Sequence, residues 1–543
     1  MDVGPNPAIG LNGRLAARWA RRAVDRLRRE RAEIDELNVF PVPDGDTGTN
    51  MYQTLRAAYR AVEELTGPVT LPEVVKAMAA GAERGARGNS GLILSVALQG
   101  VADALDGVTV ATPEALAFAL ELASHRARQA VARPVDGTML TVLDAMATEA
   151  REQADDGAAL VDLISAVRMR SRDALRETTG QLSVLREAEV VDAGSTGIVE
   201  LFDLLYATVS GRTSQGSMIG EVAKAPRIVH EARAEELEIV AVLGRTPSGD
   251  LAEALEGLGG TSIVINGVKV HVHVADETAA AAVLDLLGED GIARLDMEDL
   301  RLHEEAGETA LIALVRGTGL QLHCALNGAT VLDPTVVDPE AVPGMGRGTG
   351  PNLLATAVAE VVASEERDVI VIPSSSGALS ALAGLRGSAH LVRSRNVATL
   401  LSALAVYDPF APVGEIFADM TDAAAGTRMG TIVSAEQLEI HAVTGALNVV
   451  DEDSAGAHPS QFYRVVIDGK AKSQSTELST LVVKLADRLL GAGGELLTVV
   501  HGPGCSTEVL SHLREWLRKS HDHVRLQEID SRDRATLLIM GVE

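Results

Sequence analysis

Two aspartates separated by a single glycine are the residues of this sequence best suited to chemistry. Asp44 and Asp46 lie in NVFPVPDGDTGTNM, residues 38–51, where two prolines and two glycines argue against a regular helix and predict a shaped loop. Such a loop lets both carboxylates converge on one point. Converging carboxylates repel each other unless a cation lies between them, and oxygen ligands suit Mg²⁺. We predict a magnesium site, with a calcium-like site or a purely structural Asx turn as the alternatives.

The residues that follow the two aspartates could bind phosphate. Thr47 and Thr49 carry hydroxyl groups and Asn50 carries an amide. They stand beside glycines, whose flexible backbone can turn its N–H groups toward an anion. The segment therefore combines the groups that hold a metal ion with the groups that hold phosphate oxygens.

The elements that would position this loop are predicted to be helices. Residues 10–210 are rich in Ala, Leu and Arg with a periodicity of about 3.6 residues, which indicates an all-helical domain. The clearest helical stretches are Arg14–Ala32, Leu71–Gly81, Gly91–Leu105, Pro113–Ala132, Leu160–Leu175 and Thr196–Tyr206. The polar stretch Gly211–Lys224 is predicted to be a linker.

After the linker, short apolar runs of strand length alternate with helix-like pieces. This alternation favours α/β architecture with a parallel or mixed sheet. The predicted strands are Glu238–Leu243, Ser262–Ile265, Lys269–Val274, Ala310–Val315, Asp368–Ile372, His390–Val392, Tyr463–Ile467, Leu496–His501, Val524–Glu528 and Leu537–Met540. Helices are predicted at Thr278–Leu287, Gly377–Leu385 and Val397–Ala405, and a loop at Asp451–Ser460.

Length and composition restrict the class of protein. A chain of 543 residues is too long for one core and should hold three domains. The formal charge of −28 argues against a nucleic acid partner and against an anionic membrane surface. No apolar run is long enough for a transmembrane segment or a signal sequence, so we expect a cytoplasmic protein. Cys324 and Cys505 form no CxxC pair and are expected to be buried apolar residues.

The loop around Asp44 also carries a family resemblance. PVPDGDTGTNM resembles the nucleotide-binding signature of the dihydroxyacetone kinase (DhaL-like, DAK2) domain, and NVFPVP resembles the form found in the ATP-binding subunit of fatty acid kinase. GARGNSG, VDGTML and VVDAGSTG, beginning at Gly85, Val135 and Val190, follow in the order of that family. Alone, each of the three is also typical of a plain turn or helix start.

The resemblance implies ATP and Mg²⁺ as ligands. It assigns Mg²⁺ to Asp44 and Asp46, the expected catalytic residues, with Asn38 as a further ligand where sugar-kinase relatives carry a carboxylate. The residues implied to bind the nucleotide are Thr47, Thr49, Asn50, Met51, Asn89, Ser90, Gly91, Thr138, Met139, Asp192, Ala193 and Gly194.

The resemblance also implies a multidomain fold. A helical barrel of the DhaL type is expected over residues 1–212, an α/β middle domain over 225–308, and an α/β DegV-like domain over 309–543. The last domain would receive a separate fatty-acid-binding carrier protein. The family resemblance further suggests a homodimer.

Two histidines in the middle domain form a weaker candidate site. His271 and His273 in KVHVHV share one face of a predicted strand and could bind a metal. The zinc site of the family adds a cysteine from an earlier strand, but Glu238–Leu243 contains none. Zinc is therefore doubtful, and a structural or substrate-contacting histidine pair is the alternative.

The C-terminal loops depart from the family pattern. Pro343–Asn352 (PGMGRGTGPN) and Pro373–Gly377 (PSSSG) stand where the family has other polar loops. Neither is a GxGxxG fingerprint, and the sequence holds no GxxxxGK[ST], which excludes Rossmann and P-loop interpretations. Arg347 could contact a carboxylate, although a solvated loop arginine is the simpler interpretation.

The resemblance predicts an ATP-dependent kinase that phosphorylates the carboxylate of a carrier-bound fatty acid to give an acyl phosphate. A carboxylate is already ionised at neutral pH and needs no general base, and we find no convincing base in these loops. Two alternatives stay open. The chain could phosphorylate a small hydroxylated metabolite, or it could be a non-catalytic regulatory protein that binds ATP.

Overall fold

The computed structural model describes residues 10–212, 237–300, 307–338, 352–385, 389–434, 462–467 and 470–543. These residues divide into two compact units. The first unit contains the described residues up to 212 together with Asp250–His273. The second contains residues 237–249 and the described residues from Val274 onward. The three-domain division at 212, 225, 308 and 309 stays a prediction.

The first unit is mainly helical, as predicted. Its described helices are α1 (Gly13–Asp35), α2 (Thr47–Glu63), α3 (Leu71–Gly85), α4 (Gly88–Ala104), α5 (Pro113–Ala130), α6 (Met139–Asp155), α7 (Leu160–Gln181), α8 (Ser183–Ala188), α9 (Ala193–Ser210) and α10 (Leu251–Gly257). Two short strands, β1 (Leu11–Asn12) and β2 (Val110–Ala111), pair antiparallel.

Helix α9 organises this unit because it is buried along nearly its whole length and packs against α1, α2, α6 and α7. The indole Nε1 of Trp19 on α1 donates to the carbonyl oxygen of Leu201 on α9 at 2.9 Å. Asp203, also on α9, is buried and pairs with two arginines of α7, Arg168 and Arg172. Paired partners are what a buried carboxylate requires.

The prediction of an irregular loop over residues 38–51 is wrong for the last five residues, because α2 already begins at Thr47. Glycine at position 48 does not break this helix. A Cβ at Gly48 would lie 2.3 Å from the carbonyl oxygen of Arg31 on α1, so glycine is what allows the two helices to approach each other. A glycine inside a helix costs about 0.5–1 kcal/mol relative to alanine, and we attribute its presence here to this close packing.

A β-hairpin completes the first unit. Strands β4 (Thr261–Asn266) and β5 (Lys269–Val274) pair antiparallel, with a register shift between Thr261 and Val264. Val264 forms a bridge with Val131, and the backbone N–H of Ala132 donates to the carbonyl oxygen of Ile263 at 3.1 Å. The hairpin is therefore joined to the segment that follows α5.

The second unit contains two sheets. In the first sheet, six strands follow in the order β10-β9-β7-β8-β6-β3. They are β3 (Leu237–Leu243), β6 (Ile292–Asp299), β7 (Thr309–Leu314), β8 (Ala329–Leu332), β9 (Asp368–Pro373) and β10 (His390–Leu391). The pairs β7–β8, β7–β9 and β9–β10 are parallel, whereas β3–β6 and β6–β8 are antiparallel.

The second sheet has the order β13-β12-β11-β16-β14-β15. Its strands are β11 (Arg428–Ser434), β12 (Tyr463–Ile467), β13 (Lys470–Ser475), β14 (Leu496–His501), β15 (Arg525–Asp530) and β16 (Leu538–Val542). Only the β14–β15 pair is parallel among these described strands. The described helices of this unit are α11 (Glu277–Gly288), α12 (Thr318–Leu326), α13 (Pro334–Val337), α14 (Leu353–Ser364), α15 (Ser376–Ala381), α16 (Val397–Ala405), α17 (Val413–Gly426), α18 (Leu478–Leu490) and α19 (Thr507–Ser520).

Several sequence predictions lie outside the described residues. They are most of the Gly211–Lys224 linker, residues 343–351 of the glycine-rich loop with Arg347, and the loop Asp451–Ser460. Cys324 and Cys505 are buried, as predicted, and burial raises the thiol pKa of Cys324 to about 12. Among the helices that the structure describes, none combines the length and apolarity needed to cross a bilayer.

Candidate functional site

The two aspartates lie at the entrance to α2 and are held by asparagines. Asp46 is the N-cap residue of α2, and Asn50 Nδ2 donates to Asp46 Oδ2 at 2.5 Å. Asn38 Nδ2 donates to Asp44 Oδ1. Gly45, between the aspartates, has φ +70°, a backbone conformation that glycine adopts without strain. The turn that was predicted at this glycine is therefore present.

The residues around the aspartates fit a bound magnesium ion. Asn38 is 4% exposed, and its Oδ1 atom is buried without a hydrogen-bond partner in the described structure. A buried oxygen without a partner costs about 1–3 kcal/mol, so its retention requires an explanation. Asn38 lies next to Asp44, and an amide oxygen beside carboxylates is a ligand set that suits Mg²⁺. Asn38, Asp44 and Asp46 are therefore the residues that would hold the ion.

Asp35 is a further carboxylate of this region, which the sequence motifs did not indicate. Its Oδ1 accepts from the backbone N–H of Thr49 at 3.0 Å, and its Oδ2 accepts from the Thr49 hydroxyl at 2.8 Å. Burial raises the pKa of Asp35, although the hydrogen bonds from Thr49 and Gly48 oppose this rise. Asp35 thus fixes the first turn of α2 from the end of α1. Its sequence neighbours form no recognisable motif.

The GNSG segment forms the start of α4. Gly88 has φ +55°, and a Cβ there would lie 2.1 Å from Asn50 Nδ2. Ser90 Oγ lies 3.5 Å from Thr47 Oγ1, which joins the first turns of α4 and α2. The N-termini of these two helices are therefore neighbours, and each carries backbone N–H groups with partial positive charge.

Two more helices begin at predicted motifs. Thr138 is the N-cap residue of α6, and Asp192 is the N-cap residue of α9. One carboxylate oxygen of Asp192 accepts from the backbone N–H and the hydroxyl of Ser195, both at 2.7 Å, and the backbone N–H of Met139 also donates to this carboxylate. Burial raises the pKa of Asp192 in spite of these donors. Asp192 therefore links the N-terminus of α9 to that of α6.

Strand β5 supports the start of α4 from outside the helices. Lys269 Nζ donates to the carbonyl oxygens of Ala86 and of Glu83, the latter at 3.3 Å. His271 Nδ1 lies 2.5 Å from Asn89 Oδ1. Both side chains are buried and point from one face of the strand. They hold the segment between α3 and α4 at its position.

The two histidines that the sequence singled out are adjacent and buried. His271 Nε2 and His273 Nε2 lie 3.1 Å apart. This spacing is close to the separation of two nitrogen ligands on one tetrahedral zinc ion, which binds each at about 2.0–2.1 Å. The hydrogen bond from His271 Nδ1 to Asn89 is also of the kind that orients metal ligands. A metal at this pair stays a proposal.

A cavity of about 270 Å³ collects many of these residues. Seven residues predicted to bind nucleotide line it, namely Thr47, Asn89, Ser90, Thr138, Met139, Asp192 and Gly194. Its remaining wall is mainly apolar and includes Phe40, Ile93, Val131, Ile263 and Val264. The cavity thus combines helix N-termini with an apolar surface.

Other predicted residues do not line the cavity. Thr49 and Asn50 hold Asp35 and Asp46, while Met51 is fully buried and packs against Gly197, where a Cβ would lie 2.5 Å from its sulfur. Gly91 lies against Thr54, and Ala193 is buried at the start of α9. Asp44 and Asp46 lie outside the lining as well. Whether each of these residues binds a ligand stays a prediction.

Sequence reasoning missed the contribution of the hairpin and its neighbours to this cavity. Arg133, Glu256 and residues 260–264 line it. The strand pattern identified β4 correctly but contained no sign that β4 would face the helices. Residue spacing within one strand cannot report contacts between elements that are far apart in sequence.

Comparison with protein families identifies both parts of the chain. Residues 41–207 match the DAK2 domain, and residues 346–543 match the FakA-like C-terminal domain of fatty acid kinases. This chain is a DAK2-domain protein of the FakA-like fatty acid kinase family. The helix N-termini at the cavity, those of α2, α4, α6 and α9, and the Asp44–Asp46 turn all belong to the DAK2 match.

Relatives of this FakA-like chain occur in Staphylococcus aureus. Uncharacterized proteins of strains USA300 and MRSA252 are each 25% identical to it over 559 aligned positions, which cover 95% of this chain and 96% of the relative. The similarity therefore extends beyond the two matched domains and includes the middle of the chain.

Solved structures resemble parts of the chain distantly. A DegV lipid-binding protein from Thermotoga maritima is 12% identical with a TM-score of 0.32, covering 44% of this chain and 98% of that protein. The dihydroxyacetone kinase of C. freundii in complex with AMP-PNP and Mg²⁺ is 15% identical with a TM-score of 0.29, covering 39% of this chain and 36% of that protein. Similarities at this level carry no argument about function.

Proposed function

We propose that the chain is an ATP-dependent kinase of the fatty acid kinase type, which phosphorylates the carboxylate of a fatty acid presented by a separate binding protein. The observation that carries the proposal is the cavity lined by residues at the N-termini of α2, α4, α6 and α9, within a chain that matches the DAK2 domain and the FakA-like C-terminal domain. Helix N-termini favour phosphate groups.

The nucleotide would bind with its phosphates at these helix starts. Ser90, Thr47 and Asn89 supply polar side chains there, and the backbone N–H groups of the first turns point toward the ligand. The apolar wall suits the base. A DAK2 domain that binds ATP in this manner has no need of a P-loop, which the sequence lacks.

Bound magnesium would neutralise phosphate charge and orient the terminal phosphoryl group. Asp44, Asp46 and Asn38 are the proposed ligands. Asn50 orients Asp46, and Asp35 holds the first turn of α2 through Thr49. The role of these residues is therefore to fix two carboxylates at the place where nucleotide charge must be offset.

The reaction needs little acid–base chemistry from the protein. A carboxylate oxygen of the fatty acid attacks the γ-phosphorus, the bond between that phosphorus and the β,γ-bridging oxygen breaks, and ADP leaves with the electron pair. The products are an acyl phosphate and ADP. The attacking carboxylate is already ionised at neutral pH, so no proton has to be removed.

A separate carrier follows from the cost of exposing an acyl chain. Each methylene in contact with water costs about 0.8 kcal/mol, so a long chain must be sheltered. The cavity of about 270 Å³ would already hold the nucleotide. We therefore propose that another protein covers most of the fatty acid. The homodimer and the cytoplasmic location stay predictions.

The decisive experiment measures ADP formation by the purified full chain with ATP, Mg²⁺ and oleate, with and without a fatty-acid-binding protein from the same genome. Turnover that requires both oleate and the binding protein supports the proposal. Turnover with a soluble polyol and no binding protein would instead indicate a metabolite kinase. Binding of Mg·ATP without turnover under any of these conditions would indicate a regulatory protein.

A further inference from the structure

Arg133 is the one positively charged side chain among the described residues that line the cavity. The other ionisable residues of this described lining are Asp192 and Glu256. Asp192 is occupied in joining α6 to α9 through Ser195 and Met139. A cavity that binds ATP must accept several negative charges. The position of Arg133 is therefore informative.

The backbone before Arg133 is fixed, whereas its side chain is exposed. Val131 forms a bridge with Val264, and the N–H of Ala132 donates to Ile263 at 3.1 Å. Pro134 follows Arg133 and restricts it to an extended backbone. The Arg133 side chain is 79% exposed. A guanidinium on a fixed base can reorient without disturbing the fold.

In this structure Arg133 already holds a carboxylate. Its Nη2 atom lies 2.6 Å from Glu256 Oε2, and both residues line the cavity. An exposed ion pair of this kind contributes little to stability, so one carboxylate can replace another at low cost. Arginine also binds carboxylates through paired N–H groups, which a lysine cannot reproduce.

The wall beside Arg133 is apolar. Val131, Ala132 and Val135 flank it in sequence, and Ile263 and Val264 lie across the bridge from the first two. A cation next to an apolar wall matches the chemistry of a fatty acid, whose carboxylate is followed directly by methylene groups. A free phosphate group would gain nothing from this wall.

We propose that Arg133 binds the carboxylate of the acyl acceptor, and that Glu256 holds Arg133 until the acceptor replaces it. The inference rests on the proposed fatty acid kinase function and deepens it. Two anions have to meet for phosphoryl transfer, and an arginine at the acceptor offsets their repulsion. Glu256 keeps the guanidinium at the cavity edge when no acceptor is present.

The kinetic test compares Arg133→Ala, Arg133→Lys and Glu256→Gln with the wild-type chain, using a fatty-acid-binding protein loaded with oleate. Arg133→Ala should raise the KM for the loaded carrier about tenfold, corresponding to the loss of one charge-assisted interaction. Arg133→Lys should have an intermediate effect. Glu256→Gln should lower this KM, because the competing carboxylate is gone. The KM for ATP should change less than about twofold in all three.

Arg151→Ala is the matched control. Arg151 lies in the same unit, pairs with Glu121 across helices, and does not line the cavity. Its replacement should leave both KM values unchanged. A rise in the KM for ATP with Arg133→Ala, or a Glu256→Gln variant with a raised KM for the carrier, would overturn the assignment.

A second measurement does not depend on turnover. Phenylglyoxal modifies exposed arginines, and mass spectrometry can quantify the modification at Arg133 and Arg151. Octanoate should protect Arg133 but not Arg151, and octanol should protect neither. Protection by octanoate in a wild-type chain that shows no kinase activity would retain the carboxylate site and reject the proposed function. Protection of Arg133 by Mg·ADP but not by octanoate would reject the carboxylate site.

Discussion

His271 donates a hydrogen bond from Nδ1 to the side-chain oxygen of Asn89 over 2.5 Å, because an amide oxygen can only accept. This bond joins β5 of the hairpin to the first turn of α4. If His271 is neutral, its Nε2 carries no proton and accepts from His273 Nε2 at 3.1 Å. The tautomers of the two histidines are therefore linked to the position of a residue that lines the cavity.

We predict that His271→Ala and Asn89→Ala each raise the KM for ATP about fivefold, the effect of losing one hydrogen bond worth about 1 kcal/mol. The double variant should show little further loss, because both changes remove the same interaction. Steady-state kinetics of the four proteins measures this coupling. Fully additive effects would mean that the two side chains act independently.

Replacing Asp44 or Asp46 by asparagine should abolish ATP turnover, because the remaining carboxylate and Asn38 cannot offset the charge of the nucleotide. Isothermal calorimetry should show weakened Mg²⁺-dependent nucleotide binding, and circular dichroism should show an unchanged helix content. Asp156→Asn, at the exposed end of α6, is the control and should behave as the wild type. Normal turnover in the Asp44–Asp46 double variant would disprove the assignment.

Gly88→Ala should reduce activity more than its backbone strain alone explains. A Cβ at Gly88 would lie 2.1 Å from Asn50 Nδ2 and would displace Asn50 from Asp46. Gly107 also has positive φ, but no atom lies within 4 Å of a Cβ built there. Both alanines should cost about 1–2 kcal/mol of unfolding free energy from the left-handed backbone. Only Gly88→Ala should also raise the Mg²⁺ concentration needed for half-maximal turnover.

The pH dependence of stability should reveal Asp192. Burial raises its pKa above the ordinary aspartate value, so the folded state binds its proton more tightly than the unfolded state does. The contribution of this group to stability is therefore fully present below the unfolded pKa and is lost as pH rises through the folded pKa. Relative to Asp192→Asn, which does not titrate, the wild type should lose stability over that interval and show a constant difference above it.

Trp19 provides the signal for this measurement. The chain has two tryptophans, and in a Trp516→Phe background the fluorescence reports Trp19, which is bonded to α9 through Leu201. Urea unfolding of this background with and without the Asp192→Asn substitution, at several acidic pH values, then follows the first unit alone. A stability difference that grows in favour of the protein with Asp192 as pH rises would contradict the prediction.

Much of the secondary structure could be predicted because its signals are local. The strands at Lys269–Val274, Tyr463–Ile467 and Leu496–His501 and the helix at Val397–Ala405 have the predicted bounds. Apolar runs and helical periodicity suffice for such elements, since burial on one face determines both. The predicted helix Gly377–Leu385 is shorter, ending at Ala381.

Strands without an apolar pattern were missed. Lys470–Ser475 reads KAKSQS and forms β13 at the edge of its sheet, where exposed polar residues are tolerated because the neighbouring β12 supplies the hydrogen bonds. Ile292–Asp299 carries four charged residues, yet it forms the middle strand β6. Its position in the sheet depends on partners that lie far away in sequence.

The candidate site was predicted as four separate motifs, and their chemistry was apparent from residue type. What the sequence could not reveal is that Asp35 holds Thr49, that Asp192 joins two helices, or that Arg133 meets Glu256. Each of these relations depends on the packing of helices against each other or against the hairpin. No spacing rule within one element describes such packing.

The interrupted path of the chain affects how this protein can be divided or inherited. Residues 237–249 belong to the second unit, although Asp250–His273 returns to the first. A fragment that ends near residue 212 would carry helices α1 to α9 and none of β4 or β5, so it would leave Asn89 and Ala132 without their hairpin partners. A recombination event that transferred the helices alone would therefore deliver an incomplete cavity, and the two segments are expected to be exchanged together or not at all.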